Sequence, residues 1–258
     1  MLKMIKHIWL KDIKAEIYTW KSLVWLLVTS IIFSITSYLL LTNKELSLLD
    51  QTEMLWLFAK IIIGTILLII IIDASALISN EFENETMENL FLTPLTTADF
   101  VLGKLLTSIT IWGISYLISI PYMIVTSSGS GLTYAFMGYV AFFGTLAVLG
   151  FTMLIFALSF PYKSMKNTLT TSFVVLLALT IPALFSTTLK NNALAKIFGQ
   201  INPIDNIFSS LDNVLVDYKT SIGQNLTYII PVLVFCILML FALLVSVRIF
   251  SRRGILKD

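Results

Sequence analysis

Apolar positions run along this chain in long blocks, with polar residues gathered between them. A helix needs about 20 apolar residues to cross a bilayer core. Six segments meet that length: Ser22–Leu41, Met54–Ile78, Phe100–Val125, Leu132–Phe160, Leu169–Leu189 and Tyr228–Ile249. The run Ile61–Ile72, IIIGTILLIIII, has no polar face for water, which argues against a buried helix of a large soluble core. The fourth segment is long enough to tilt or to project beyond the bilayer.

The first 20 residues follow a different rhythm. Ile5, Ile8, Trp9, Ile13, Ile17 and Trp20 recur at helical spacing, and Lys3, Lys6, Lys11 and Lys14 fill much of the remaining surface. The pattern predicts an amphipathic interfacial helix over 1–20, with tryptophans at the headgroup level. The alternative is a frayed tail.

Two connectors carry further patterning. Residues 79–95 join the second and third spans, and the stretch from Ser79 to Phe100 holds Glu81, Glu83, Glu85, Glu88 and Asp99. Asn80 and Glu83 have capping-box spacing, and Pro94 marks the far end. A helix over Glu81–Leu92 would stack Phe82, Thr86 and Leu90, with Met87 and Phe91 beside them and Glu81, Glu85 and Glu88 on a neighbouring row. The alternative is a solvated charged loop, and amphipathicity alone does not separate the two. Like charges at i,i+4 weaken an isolated helix, so a basic surface should face this one. Thr96 or Thr97 can cap the next helix, with Asp99 in its first turn. The second connector is 190–227. There Asn202 can cap, Pro203 suits the first helical position, and Ile204, Ile207, Phe208, Leu211 and Leu215 form one stripe. The expectation is a short external amphipathic helix on or in the outer membrane face.

Composition agrees with a membrane solvent. The chain is 57% hydrophobic and 12% charged, with a mean hydropathy of +0.92, against roughly 25% charged in soluble domains. A net charge of +2 gives no argument for nucleic acid. Cys236 is the only cysteine, so no internal disulfide is expected. The N-terminus lacks the pattern of a cleavable signal. Lys3, Lys6, Lys11, Lys14 and Lys21 precede the first span, Lys163 and Lys166 lie between the fourth and fifth, and Arg248, Arg252, Arg253 and Lys257 follow the sixth. Alternating spans bring these to one side, which makes both termini cytoplasmic in a multi-pass protein of the cytoplasmic membrane. The acidic connector is then cytoplasmic too.

Within the spans, Asp73 most needs explanation, because intramembrane carboxylates are costly and face protein or water. Lys104 sits at a comparable depth on the third span. A cross-helix Asp73–Lys104 pair is the favoured expectation, and a proton or cation site the alternative. Lys60 can snorkel to the outer interface, and Pro121 and Pro182 are candidate kinks. Chemistry is sparse. SSGSG (Ser127–Gly131) superficially resembles a serine-protease loop, but the sole histidine, His7, lies on the N-terminal helix across the bilayer from Ser130. No catalytic residue and no metal site is expected. Ser127–Gly131 reads as a tight external turn.

NEFENETMENLFLTPLTTADFVLGKLL resembles the signature region of ABC exporter permeases of the type-2 family. The matching positions are Glu81, Glu85–Thr86, Glu88–Asn89–Leu90, Thr93–Pro94 and Phe100 with Gly103–Lys104. A weaker match is INPID, Ile201–Asp205, before the last span. The resemblance extends over essentially the whole chain. It departs at Glu83–Asn84–Glu85, where many relatives carry a basic residue or glycine.

The resemblance implies an all-α membrane protein made of one permease domain over 1–258, with the 79–95 segment as a cytoplasmic coupling helix. It implies a transport subunit without its motor. The chain has no G-x-x-x-x-G-K-[ST] loop, so ATP and Mg would belong to a separate ABC ATPase, in two copies, working with two permease chains. The second permease could be identical or related. Glu81, Glu85 and Glu88 would offer charge-assisted contacts to the ATPase, and Phe82, Met87 and Leu90 apolar anchors. The apolar spans favour an amphiphilic substrate: a peptide, a drug-like or a lipid-like molecule. Permeases of this short form often serve peptide or antibiotic export. An ion-gradient-driven transporter and an intramembrane enzyme are the rival classes. The first would need more intramembrane charge and often internal repeats.

Overall fold

The computed structural model describes residues 2–42, 51–87, 96–184 and 198–254. Their regular structure is helical throughout: α1 Leu2–Ile17, α2 Trp20–Thr42, α3 Gln51–Glu83, α4 Thr97–Ser127, α5 Thr133–Tyr162, α6 Met165–Leu184, α7 Pro203–Leu215 and α8 Ile222–Gly254. Six of these, α2 to α6 and α8, are long and apolar enough to cross a membrane. The expected spans all fall on these helices; the end of the fifth, beyond Leu184, lies outside the described residues.

Hydropathy locates the apolar stretch but not the helix ends. α3 and α8 each contain 33 residues, roughly 50 Å at 1.5 Å per residue, against a hydrocarbon core of about 30 Å. Their ends therefore extend beyond any bilayer they cross. For α3 this overturns one expectation. Asn80 does not begin a helix: its carbonyl accepts from Asn84 N at 2.9 Å as α3 runs past Ile78 to Glu83. Nothing in Ser79–Glu83 breaks a helix, so the second span and the start of the connector form one rod. The chain turns at Asn84–Glu85, where Glu85 adopts a left-handed φ of 56°.

Local chemistry sets other ends. Thr96 caps α4, accepting from Asp99 N at 3.1 Å. Asn202 caps α7 as expected, accepting from Ile204 N at 3.0 Å, with Pro203 in the first turn. Between α4 and α5, Ser127–Gly131 is the expected tight turn, with Gly129 and Gly131 at φ of 92° and 70°. Ser130 Oγ donates to Ser127 O there. Pro121 and Pro182 lie inside continuous helices.

α3 and α5 form the centre. α3 is apolar all round and buries Phe58, Ile62, Ile66 and Ile70 completely. Phe58 meets Phe33 of α2 edge-on at 6.2 Å and Phe136 of α5 at 6.4 Å. The outer helices keep apolar surfaces exposed, such as Leu27 and Ile31 on α2 and Ile237, Phe241 and Leu244 on α8. Such faces suit lipid tails or another apolar helix.

α1 and α7 sit at opposite ends of the bundle. α1 lies along the first half of α4, where Trp9 Nε1 donates to Thr110 Oγ1 at 2.9 Å. The two helices approach closely at Gly103, where a Cβ would stand 2.8 Å from Ile8 Cγ2. So the Ile5–Ile8–Trp9 face of α1, expected to enter the membrane interface, is packed on protein. Lys6, His7, Lys11 and Lys14 point outward. α7 packs against α3, α5, α6 and α8. Its whole predicted stripe, Ile204, Ile207, Phe208, Leu211 and Leu215, is buried. Trp56 Nε1 of α3 donates to Phe208 O at 2.9 Å, and the Lys60 ammonium lies 3.1 Å from the centre of the Trp56 ring.

Candidate functional site

The α1 end of the bundle gathers buried charge. Lys104 of α4 is 2% exposed. Its Nζ donates to Asp12 Oδ1 of α1 at 3.2 Å and lies 3.0 Å from Oδ2. The same ammonium donates to Glu81 Oε1 of α3 at 3.1 Å. Lys11 reaches Glu81 at 3.6 Å from an exposed position. Thr86 Oγ1, beyond the turn, donates back to the Glu81 carboxylate and carbonyl. One cation thus ties α1, α3 and the connector to α4. Buried ions hold only when paired and hydrogen bonded. Lys104 donates to both carboxylates, while Asp12 Oδ2 has the ammonium beside it but accepts no hydrogen bond among the described residues. Burial pushes the Asp12 carboxyl above its ordinary range, with the Lys104 charge opposing that shift.

The expected Asp73–Lys104 pair gives way to this cluster. Asp73 lies eight residues before Glu81, roughly 12 Å along α3. At its own level Lys104 meets Glu81 and Asp12 instead. Asp73 is 6% exposed and lines a separate cavity shared by α1, α2, α3 and α4.

Beside the cluster, Phe82 is clasped by two rings. It meets Phe250 of α8 at 5.4 Å and Phe160 of α5 at 6.1 Å, both edge-on. Phe160 and Phe250 touch each other at 5.3 Å. Lys163 Nζ stands 5.8 Å from the Phe82 ring. Glu83 Oε1 accepts from Met165 N, the first residue of α6, at 2.8 Å. A carboxylate at that position meets an otherwise orphaned helix N–H and the positive end of the helix dipole.

The residues expected on a partner-facing surface therefore separate. Glu81 and Phe82 are turned into the chain, and Met87 is 4% exposed. Glu85 is exposed at the tip of the turn. Glu88 and Leu90 lie outside the described residues, as do Asn89 and Pro94. Of these acids, Glu81 meets its basic partners, Lys104 and Lys11, within the same chain.

Asp12 was not singled out from sequence, yet the pattern carried a signal. Ile5, Ile8, Trp9 and Asp12 share one helical face, so a carboxylate continues the apolar stripe of α1. An acid in that register calls for a buried cation. At the far end, Asn202 Nδ2 donates to Leu179 O of α6 at 2.7 Å while its Oδ1 caps α7. Asn225 receives Ser210 Oγ and Asn213 Nδ2 at 3.0 and 3.1 Å. Among the described residues, no group of His, Cys, Asp and Glu is arranged to hold a metal. His7 and Ser130 lie at opposite ends of the bundle.

Among the described residues, six helices long and apolar enough to cross a membrane indicate a multi-pass membrane protein. A family model described as ABC-2 family transporter protein matches residues 7–255, and the chain belongs to that family. No curated protein matches the sequence.

Proposed function

We propose that this chain is the membrane subunit of an ATP-driven exporter, energised by a separate ABC ATPase that engages the turn after α3. The observation that carries the reading is the mounting of that turn. Glu85 projects at its tip, while Glu81, Phe82 and Glu83 beneath it are fastened to α1, α4, α5, α6 and α8. A displacement at the tip would reach most of the bundle without passing through a flexible hinge, as rigid-body switching requires. The burial of Glu81 and Phe82 gives them the role of transmitting force, leaving Glu85 and the segment after Met87 for contact with the motor.

In this reading two permease chains and two ATPase chains work together, and ATP and Mg bind only the ATPases. Both termini and the α1 end face the cytoplasm, in keeping with the lysines on α1 and after α5. The α7 end is external. The apolar helices, with scattered hydroxyls and rings, favour a hydrophobic or amphipathic cargo: a peptide, a drug-like or a lipid-like molecule. Affinity purification after mild detergent extraction tests this. An ATP-hydrolysing subunit should copurify, and transport into vesicles should need ATP. A chain that purifies alone and transports on an ion gradient would refute it.

A further inference from the structure

The cavity beside Asp73 has a polarity that selects its occupant. It has a volume of about 90 Å³ and opens between α1, α2, α3 and α4. Its walls are mainly apolar, with Leu26, Ile69 and Ile114 among them. Five oxygen-bearing side chains also line it: Glu16, Ser22, Thr29, Asp73 and Ser115. The three hydroxyl groups donate to carbonyls of their own segments. Ser22 donates to Ile17 O at 2.8 Å, Thr29 to Trp25 O at 2.7 Å and Ser115 to Ile111 O at 2.9 Å. Their protons are thus committed, so what these oxygens can offer a ligand is lone pairs. The other two groups are carboxylates. Each keeps an interaction within the chain, but a carboxylate has about four acceptor sites and can take a further donor.

We infer that this cavity binds the ammonium end of an alkylamine, with the first carbons of its apolar chain against the Leu26, Ile69 and Ile114 walls. A few acceptor oxygens set in largely apolar walls match a group that is all donor and positively charged, carried on an apolar chain. An anion would meet two carboxylates, and an alcohol would bring one donor rather than three. Size agrees: a cavity of about 150 Å³ admits a benzene ring, so this smaller one admits a head group and the first carbons. The site makes cationic amphiphiles the preferred cargo class, and in that respect it rests on the export reading. The binding itself does not.

The test uses the full chain in nanodiscs of uncharged lipid, with no ATP and no ATPase. The probe is a dodecylammonium carrying a diazirine next to the amine, and adducts are mapped by mass spectrometry. Adducts should fall on the segments around Ser22–Thr29, Ile69–Asp73 and Ile111–Ser115. Excess dodecylammonium should suppress them and dodecanol should not. Asp73→Asn should lower their yield about ten-fold. Ile114→Phe, which fills the cavity and leaves the charges in place, should do the same and decides the matter if Asp73→Asn fails to fold. Adducts spread over the exposed face of α8, equal competition by dodecanol, or wild-type labelling in the folded variants would overturn the site. Those outcomes leave the ATPase reading intact, and a chain without an ATPase partner would leave the ammonium site intact.

Discussion

Lys104 of α4 and Asp12 of α1 lie 92 positions apart in the chain, yet the ammonium sits 3.2 Å from Asp12 Oδ1. Both are buried, and Glu81 completes the group from α3. This contact fixes the N-terminal helix against the base of the α3 turn. Its energetics are testable. Lys104→Met leaves the buried Asp12 carboxylate facing the part-buried Glu81 carboxylate without their shared cation and should destabilise the protein by about 3 kcal/mol. Asp12→Asn keeps the Lys104–Glu81 pair and removes a carboxylate whose ionisation burial already disfavours, so it should cost little or nothing. Thermal unfolding in detergent orders the two variants, and equal losses would count against a shared cation.

The same cluster gives a pH dependence. Asp12 is faced by Lys104, Lys11 and Glu81, and burial holds its folded pKa above the ordinary 3.8. The folded state then binds its proton more readily than the unfolded state does. This contribution to stability is complete below 3.8 and is lost as pH rises through the raised value. Wild type should therefore lose stability relative to Asp12→Asn as pH rises through that window. A melting difference that stays flat with pH would contradict the assignment.

The ring clasp makes a separate prediction. Phe82→Ala removes two edge-on contacts, each worth about 0.5–1.5 kcal/mol. It should loosen the turn, seen as faster hydrogen exchange at 82–87, while α7 at the far end keeps its protection. A uniform loss across both ends would show that Phe82 serves the whole core rather than the turn.

Gly103 tests the seat of α1. Gly103→Ala puts a methyl into Ile8 and should cost about 1–3 kcal/mol. Adding Ile8→Ala should recover much of that loss, because the two side chains compete for one space. A double variant as unstable as the sum of the singles would place the strain elsewhere.

How far the sequence could be read depended on the physics involved. Span positions were legible because a bilayer demands an unbroken apolar length, which α3 and α5 meet with little else in them. The α7 cap and stripe were legible because Asn202, Pro203 and the Ile204–Leu215 spacing are local chemistry. The end of α3 was not, since hydropathy falls at Ile78 while helix formers continue to Glu83. The partner of Lys104 was missed for another reason. Matching depths along two spans suggested Asp73, but the actual partners come from Glu81 and from a helix whose apolar face was assigned to lipid. The inward turn of Glu81 and Phe82 had no local signal at all. It follows from the basic and aromatic residues that α4, α5 and α8 bring to that point.

Sidedness is open to direct labelling. In a Cys236→Ala background, cysteines at Ser128 and Tyr218 should react with an impermeant maleimide on intact cells, and one at Ser164 should not. Labelling of Ser164 from outside would reverse the orientation.

Crosslinking from the tip of the α3 turn tests the central claim most directly. In the same background, Glu85→Cys carrying a short bifunctional reagent should join the chain to an ATP-hydrolysing subunit in native membranes, with a yield that changes when ATP is added. Ser128→Cys, at the opposite end of the bundle, should not. Capture of that subunit from Ser128 and not from Glu85 would contradict the account.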